Sequence, residues 1–171
     1  MNRRQFLVLG GFSTLGLALG STAFRIGGVW WDQSAHEDYQ LLSAREVEIA
    51  EAIVDALFPG DHLNMPNGND VGVVAELDDY LAAIHPHKGN LLRLLLHAID
   101  DLAIFDGFGM TPFRHRSRQE RIVLLNGWDD AKLNARQEAF FGLKVILSMG
   151  YCEAPEVIRA AGIDYDCGAW E

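Results

Sequence analysis

His85 and His87, separated only by Pro86, are the one close pair of histidines in the sequence; His36, His62, His97 and His115 are scattered. Two imidazoles fall short of the three or four donors of a closed zinc site, and beside a proline they read better as an exposed helix end. No Glu-x-x-His spacing occurs, so a di-iron carboxylate bundle lacks its ligands and no metal is expected. Gly107-x-Gly109 is only a fragment of the Gly-x-Gly-x-x-Gly turn that cradles a dinucleotide, and Cys-x-x-Cys-His for covalent haem is missing. No cofactor is therefore expected in this chain, and no catalytic residue stands out. Cys152 and Cys167 suit an oxidising compartment, where a bridge would close a short loop. Two unpaired thiols are the other reading.

Charge narrows the partners. The 171 residues carry 14 Lys and Arg against 24 Asp and Glu, a net charge of −10, which disfavours nucleic acid. Length, 49% hydrophobic and 22% charged residues fit one domain with a core. Positive charge collects at Arg114, His115, Arg116, Arg118 and Arg121. These side chains either pair with nearby acids at a helix start or, through Arg114 and Arg116, contact an acidic partner surface.

The first residues follow another logic. Arg3 and Arg4 precede Phe6 and Leu7, and residues 6–24 contain no charged side chain. Gly10, Gly11, Gly16 and Gly20 keep the run only mildly apolar, more like a cleavable signal than an anchor, and Ser21-Thr22-Ala23 offers a cleavage site. Arg3, Arg4, Phe6 and Leu7 match the twin-arginine export signal, with Asn2 in place of its hydroxyl residue and Val8 in place of its lysine. The expected organisation is a leader over 1–24, a linker over 25–42 and a helical domain over 43–171. Trp30 and Trp31 in the linker are candidates to contact a partner or a membrane interface.

Helical periodicity dominates the body. Ser43-Ala44-Arg45-Glu46 is a capping box, and Val47, Ala50, Val54 and Leu57 follow at helical spacing until Pro59-Gly60. Asn69 or Asp70 is expected to cap a second helix carrying Val73, Leu77, Leu81 and Ile84, closed by His85-Pro86-His87. From Lys88 to Phe105 the chain is strongly apolar, with Arg93, His97, Asp100 and Asp101 as its polar stripe. Such a helix is central in a bundle or covered by a partner. Ser117 and Glu120 make a second capping box for a helix to about Trp128. A longer helix from about Ala131 should end at Gly150, and Pro155 and Gly162 frame a short last one. The prediction is an all-α domain of five or six helices.

Leu42-Ser43, Ile53-Val54-Asp55-Ala56-Leu57-Phe58-Pro59, the helix with Leu77, Asp78 and Tyr80, then Phe113, Arg118, Leu124-Leu125, Phe140-Phe141 and Gly150-Tyr151 with Pro155 occur in that order. Over residues 41–163 this resembles the small, or gamma, subunit family of gluconate 2-dehydrogenase (subunit 3). The resemblance implies a non-catalytic periplasmic subunit that stabilises an FAD-containing dehydrogenase acting on sugars, sugar acids or alcohols. It also implies escort of that catalytic subunit through the twin-arginine translocon, with electrons passing on to a cytochrome c subunit. The alternative from the residues alone is a stand-alone exported helical protein binding a ligand or metal, or an enzyme, through His85 and His87.

Overall fold

Ser43 opens the first helix by turning its backbone N–H and Oγ onto Glu46 Oε2, at 2.8 and 2.9 Å. The computed structural model describes residues 33–60, 64–105, 111–130 and 134–163. The chain divides into two units, Met1–Ser34 and Ala35–Glu171, and the helices described below lie in the second. Among the described residues these are α1 (Ala44–Leu57), α2 (Val73–Ala83), α3 (Pro86–Leu102), α4 (Arg118–Asp129), α5 (Asn134–Glu153) and α6 (Pro155–Ala160). Two short 3₁₀ turns, Ala103–Phe105 and Phe113–His115, join α3 to α4, and no strand occurs among these residues. The domain is all-α.

α1 is the centre of the bundle. It buries Ile49, Ile53, Val54 and five further residues, and α2, α3 and α4 all pack on it. α5 closes the opposite side by lying across α2 and α4, bringing Phe140, Leu143 and Leu147 into the same core. Gly68 permits a close approach at the end of α1, since a Cβ there would stand 2.6 Å from Val54 Cγ1. No helix among the described residues is long and apolar enough to cross a membrane.

The helical unit begins earlier than position 43. Asp78 on α2 is 2% exposed and accepts hydrogen bonds from the backbone N–H groups of Gln40, Leu41 and Leu42, the last two at 3.0 and 2.9 Å. Three donors converging on one carboxylate fasten the approach to α1 onto α2, and Leu42 is fully buried. Residues 40–42 of the expected linker are therefore tied to the helical unit, Ala35–Glu171. Asp78→Ala removes the common acceptor and leaves the buried Leu42 N–H unpaired, so urea unfolding should report a loss of about 3 kcal/mol.

Three element boundaries differ from the sequence expectation. Gly72, at φ 79°, occupies the cap of α2, while Asn69 Nδ2 donates to Glu51 O at 3.1 Å and ties the loop to α1. Asn69 and Asp70 are therefore not the cap. α3 begins at Pro86 rather than Lys88, because proline needs no donor in a first turn and His85 caps it. Gly150 lies inside α5 and does not end it; a Cβ at that position would come 3.1 Å from Glu76 Cβ on α2, so glycine permits close packing there. α5 ends at Glu153, as Ala154 adopts the extended conformation favoured before a proline.

Candidate functional site

α3 buries Leu95, Leu96 and Ile99 and turns part of its polar stripe inward beside them. His97 is 1% exposed and Asp100 0%. Its outer face carries Leu91, Leu94, Leu102 and, continuing into the 3₁₀ turn, Phe105, which are 52%, 41%, 43% and 82% exposed. At 100° per residue these four positions fall on one side of the axis, with Ala98 between them. From Leu91 to Leu102 the leucine stripe extends about 16 Å at 1.5 Å per residue.

Charges from neighbouring elements satisfy the inward stripe. Glu46 of α1, fully buried, accepts from Arg93 Nε and Nη2 at 2.9 and 3.0 Å and lies 3.3 Å from His97 Nε2. Burial by itself would raise the Glu46 carboxyl; the His97 and Arg93 hydrogen bonds, the Ser43 N–H and the Arg93 charge outweigh it and hold it at about 2. Asp100 accepts from Arg45 Nη2 at 3.0 Å, from Arg114 N at 3.1 Å and from Arg114 Nη1. The inner side of α3 is a buried ionic lock between α1, α3 and the turn at Phe113–His115. Sequence periodicity alone could not reveal it, because the partners lie 14 to 55 positions apart.

A cleft of about 340 Å³ lies beside this lock, lined by Glu48, Glu51, Asp55, Asn69, Arg114, His115 and Arg121. Its charges are matched internally. Asp55 accepts from Arg118 Nη2 at 2.7 Å and Arg121 Nη1 at 3.0 Å, and Arg114 Nε lies 3.2 Å from Glu48. Burial pushes the Asp55 carboxyl up, and the two guanidiniums more than reverse this, leaving it below its ordinary value. Carboxylates held ionised by arginines are poor general acids, so the arrangement suits holding helices together rather than proton transfer.

The arginines singled out in the sequence separate here. Arg116 is 4% exposed and donates to the backbone carbonyls of Ala103 and Thr111, at 2.9 and 3.0 Å, closing the connection from α3 to α4. It is an internal clamp and not a partner contact, because the loop carbonyls need a donor that water cannot supply. Arg114 is bound to Asp100 and Glu48 at the edge of the cleft. His85 and His87 are exposed at the start of α3, where His85 Nδ1 accepts from His87 N at 3.3 Å. No group of three or more His, Cys, Asp or Glu among the described residues could hold a metal ion. Arg3, Arg4, Phe6, Leu7, Trp30, Trp31 and Cys167 lie outside the described residues.

A second exposed apolar strip runs along α5. Phe141, Val145 and Met149 are 61%, 40% and 55% exposed and form, with Lys144, Ser148 and Cys152, a shallow groove of about 480 Å³. No family model, curated protein or solved structure matches the chain. Among the described residues, the outer face of α3 and the groove on α5 expose apolar side chains that the fold itself does not cover.

Proposed function

We propose that this chain is a non-catalytic small subunit of a periplasmic FAD-dependent dehydrogenase acting on sugars, sugar acids or alcohols. In this reading it buries the outer face of α3 against the catalytic subunit and escorts that subunit through twin-arginine export. The observation that carries it is the exposed apolar stripe of α3: Leu91, Leu94, Leu102 and Phe105 face out although the helix already buries Leu95, Leu96 and Ile99. A contiguous apolar stripe on a folded domain marks an interaction surface. Arg3 and Arg4 ahead of a mildly apolar run support export, and that route carries partners already folded around their cofactor. FAD belongs to the catalytic partner, and a cytochrome c subunit receives the electrons.

Affinity capture of the full chain from its native cells, followed by an absorption spectrum and peptide identification, tests this. The expected result is a larger co-purifying polypeptide with flavin absorption. Changing Arg3 and Arg4 together to lysine should then leave both polypeptides in the cytoplasm. A colourless chain found alone in the periplasm would overturn the subunit reading and direct attention to a self-contained function.

A further inference from the structure

The exposed side chains of α5 are balanced about its middle. Phe141 stands four residues before Val145 and Met149 four residues after it, and all three are exposed. Glu138 and Cys152, also exposed, stand seven before and seven after. At 100° per residue these five positions fall within about 40° of Val145 around the axis, so the strip presents the same spacing from either end. We propose that the strip is a homodimer interface, in which two copies of the chain pack α5 against α5, antiparallel, about a twofold axis passing between the two Val145 side chains. The inference is independent of the subunit reading, which uses α3.

A twofold axis sets each position opposite the one equally far on the other side of Val145. Phe141 of one copy then lies beside Met149 of the other, twice, and Val145 meets its counterpart, so ring, thioether and branched side chains cover one another. Glu138 is set against Cys152 and Gln137 against Glu153, so neither exposed carboxylate faces another. An axis one turn away, at Met149 or at Phe141, would oppose Val145 to Glu153 or to Gln137. Centring on Val145 keeps the apolar side chains together.

Small side chains allow the helices to approach. Gly142 and Ser148, three positions either side of Val145, face one another across the same axis. Glycine inside a helix is unfavourable relative to alanine, and the single domain gives no reason for one here: a Cβ at Gly142 would meet no neighbouring element within 4 Å. Gly150 differs, since a Cβ there would stand 3.1 Å from Glu76 Cβ. Close packing of a second copy supplies at Gly142 the reason that α2 supplies at Gly150.

The area sets the strength. Phe141, Val145 and Met149 expose about 300 Å² of side chain per copy, and with the polar positions between them the pair covers about 1,000 Å² in total. That is the low end for specific complexes, so the dimer forms and separates at micromolar concentrations. Each chain carries a net charge of −10, so the copies repel at long range and associate more tightly as salt screens that repulsion.

Sedimentation equilibrium of the full chain from about 1 to about 200 μM tests the proposal. The expected result is a reversible shift from 19.0 kDa to twice that mass, at least threefold tighter in about 0.3 M than in about 0.02 M NaCl. Val145→Asp and Gly142→Leu change positions that do not support the core, so each should fold normally by circular dichroism and weaken the dimer at least tenfold. Val145→Cys combined with Cys152→Ser and Cys167→Ser should give a covalent dimer on oxidation with diamide, because the two positions meet on the axis. With Cys167→Ser alone, the two Cys152 side chains of an antiparallel pair stand about 21 Å apart along the helices and should not join. Cross-linking through Cys152 overturns the antiparallel arrangement. A monomer at every concentration overturns the dimer, as does a dimer that survives both Val145→Asp and Gly142→Leu. A chain that is monomeric alone, yet loses capture of a flavin-containing polypeptide on Val145→Asp, gives this face to the catalytic subunit and overturns the proposal as well.

Discussion

Replacing Glu46 by alanine is expected to lower the melting temperature by about 10 °C or more. Its carboxylate is the common acceptor for Ser43, Arg93 and His97, all on a fully buried side chain. Removing one member of a buried, hydrogen-bonded ion pair costs about 3–5 kcal/mol, because the remaining charge stays desolvated. In a domain of this size each kcal/mol is worth about 2–6 °C. Calorimetry of Glu46→Ala beside Asp101→Ala, a half-exposed acid on the same network, separates a buried lock from an ordinary surface pair. Equal small shifts would refute the lock.

The same carboxylate sets an acid limb. Its folded value of about 2 lies below the ordinary 4.5, so the unfolded state takes up a proton first as pH falls. Its stabilising contribution is complete above 4.5 and is lost progressively as pH drops towards 2. At about 1.4 kcal/mol per pH unit of displacement, the loss amounts to about 3 kcal/mol. Glu46→Gln cannot titrate, so the difference between its stability profile and that of the unaltered chain should shrink across this interval. A constant difference from pH 5 to pH 2 would show that Glu46 is not held in its ionised form.

Loss of the catalytic partner is the larger functional effect expected. Leu94→Glu combined with Phe105→Glu places two carboxylates on the outer face of α3, where the side chains are 41% and 82% exposed. Neither supports the core, so circular dichroism and the melting temperature should stay close to those of the unaltered chain. Anchors at the centre of an interface are worth about 2 kcal/mol or more each, so the pair should weaken capture of the flavin-containing polypeptide more than a hundredfold. Arg116→Glu cannot serve in its place, because it breaks the internal clamp on Ala103 and Thr111. Retention of the partner by the folded double variant would move the interface off α3.

Short-range patterns in the sequence marked the helices well. Ser43 with Glu46 and Ser117 with Glu120 announced the starts of α1 and α4, because a capping box is built within four consecutive residues. The ends were less legible. Gly150 resembled a stop, yet a glycine inside a helix also permits a neighbour to approach, and only the position of Glu76 on α2 distinguishes the two. The candidate site divided the same way. Arg114 and Arg116 were conspicuous as charges, but their partners at Asp100 and Ala103 come from a different element.

The amino-acid sequence by itself determined the all-α class, the two capping boxes, the acidic net charge and the paired arginines ahead of an apolar run, since each depends on neighbours within one or two turns. Tertiary structure alone decided which way α3 faces. Its circumference is apolar enough to be buried on either side, and the choice was made by Glu46, Arg45 and Arg114, which satisfy His97, Arg93 and Asp100 inside the bundle. A buried charge without its partner is far costlier than an exposed leucine, so His97 and Asp100 turned inward beside Leu95, Leu96 and Ile99, and Leu91, Leu94 and Leu102 were left outside.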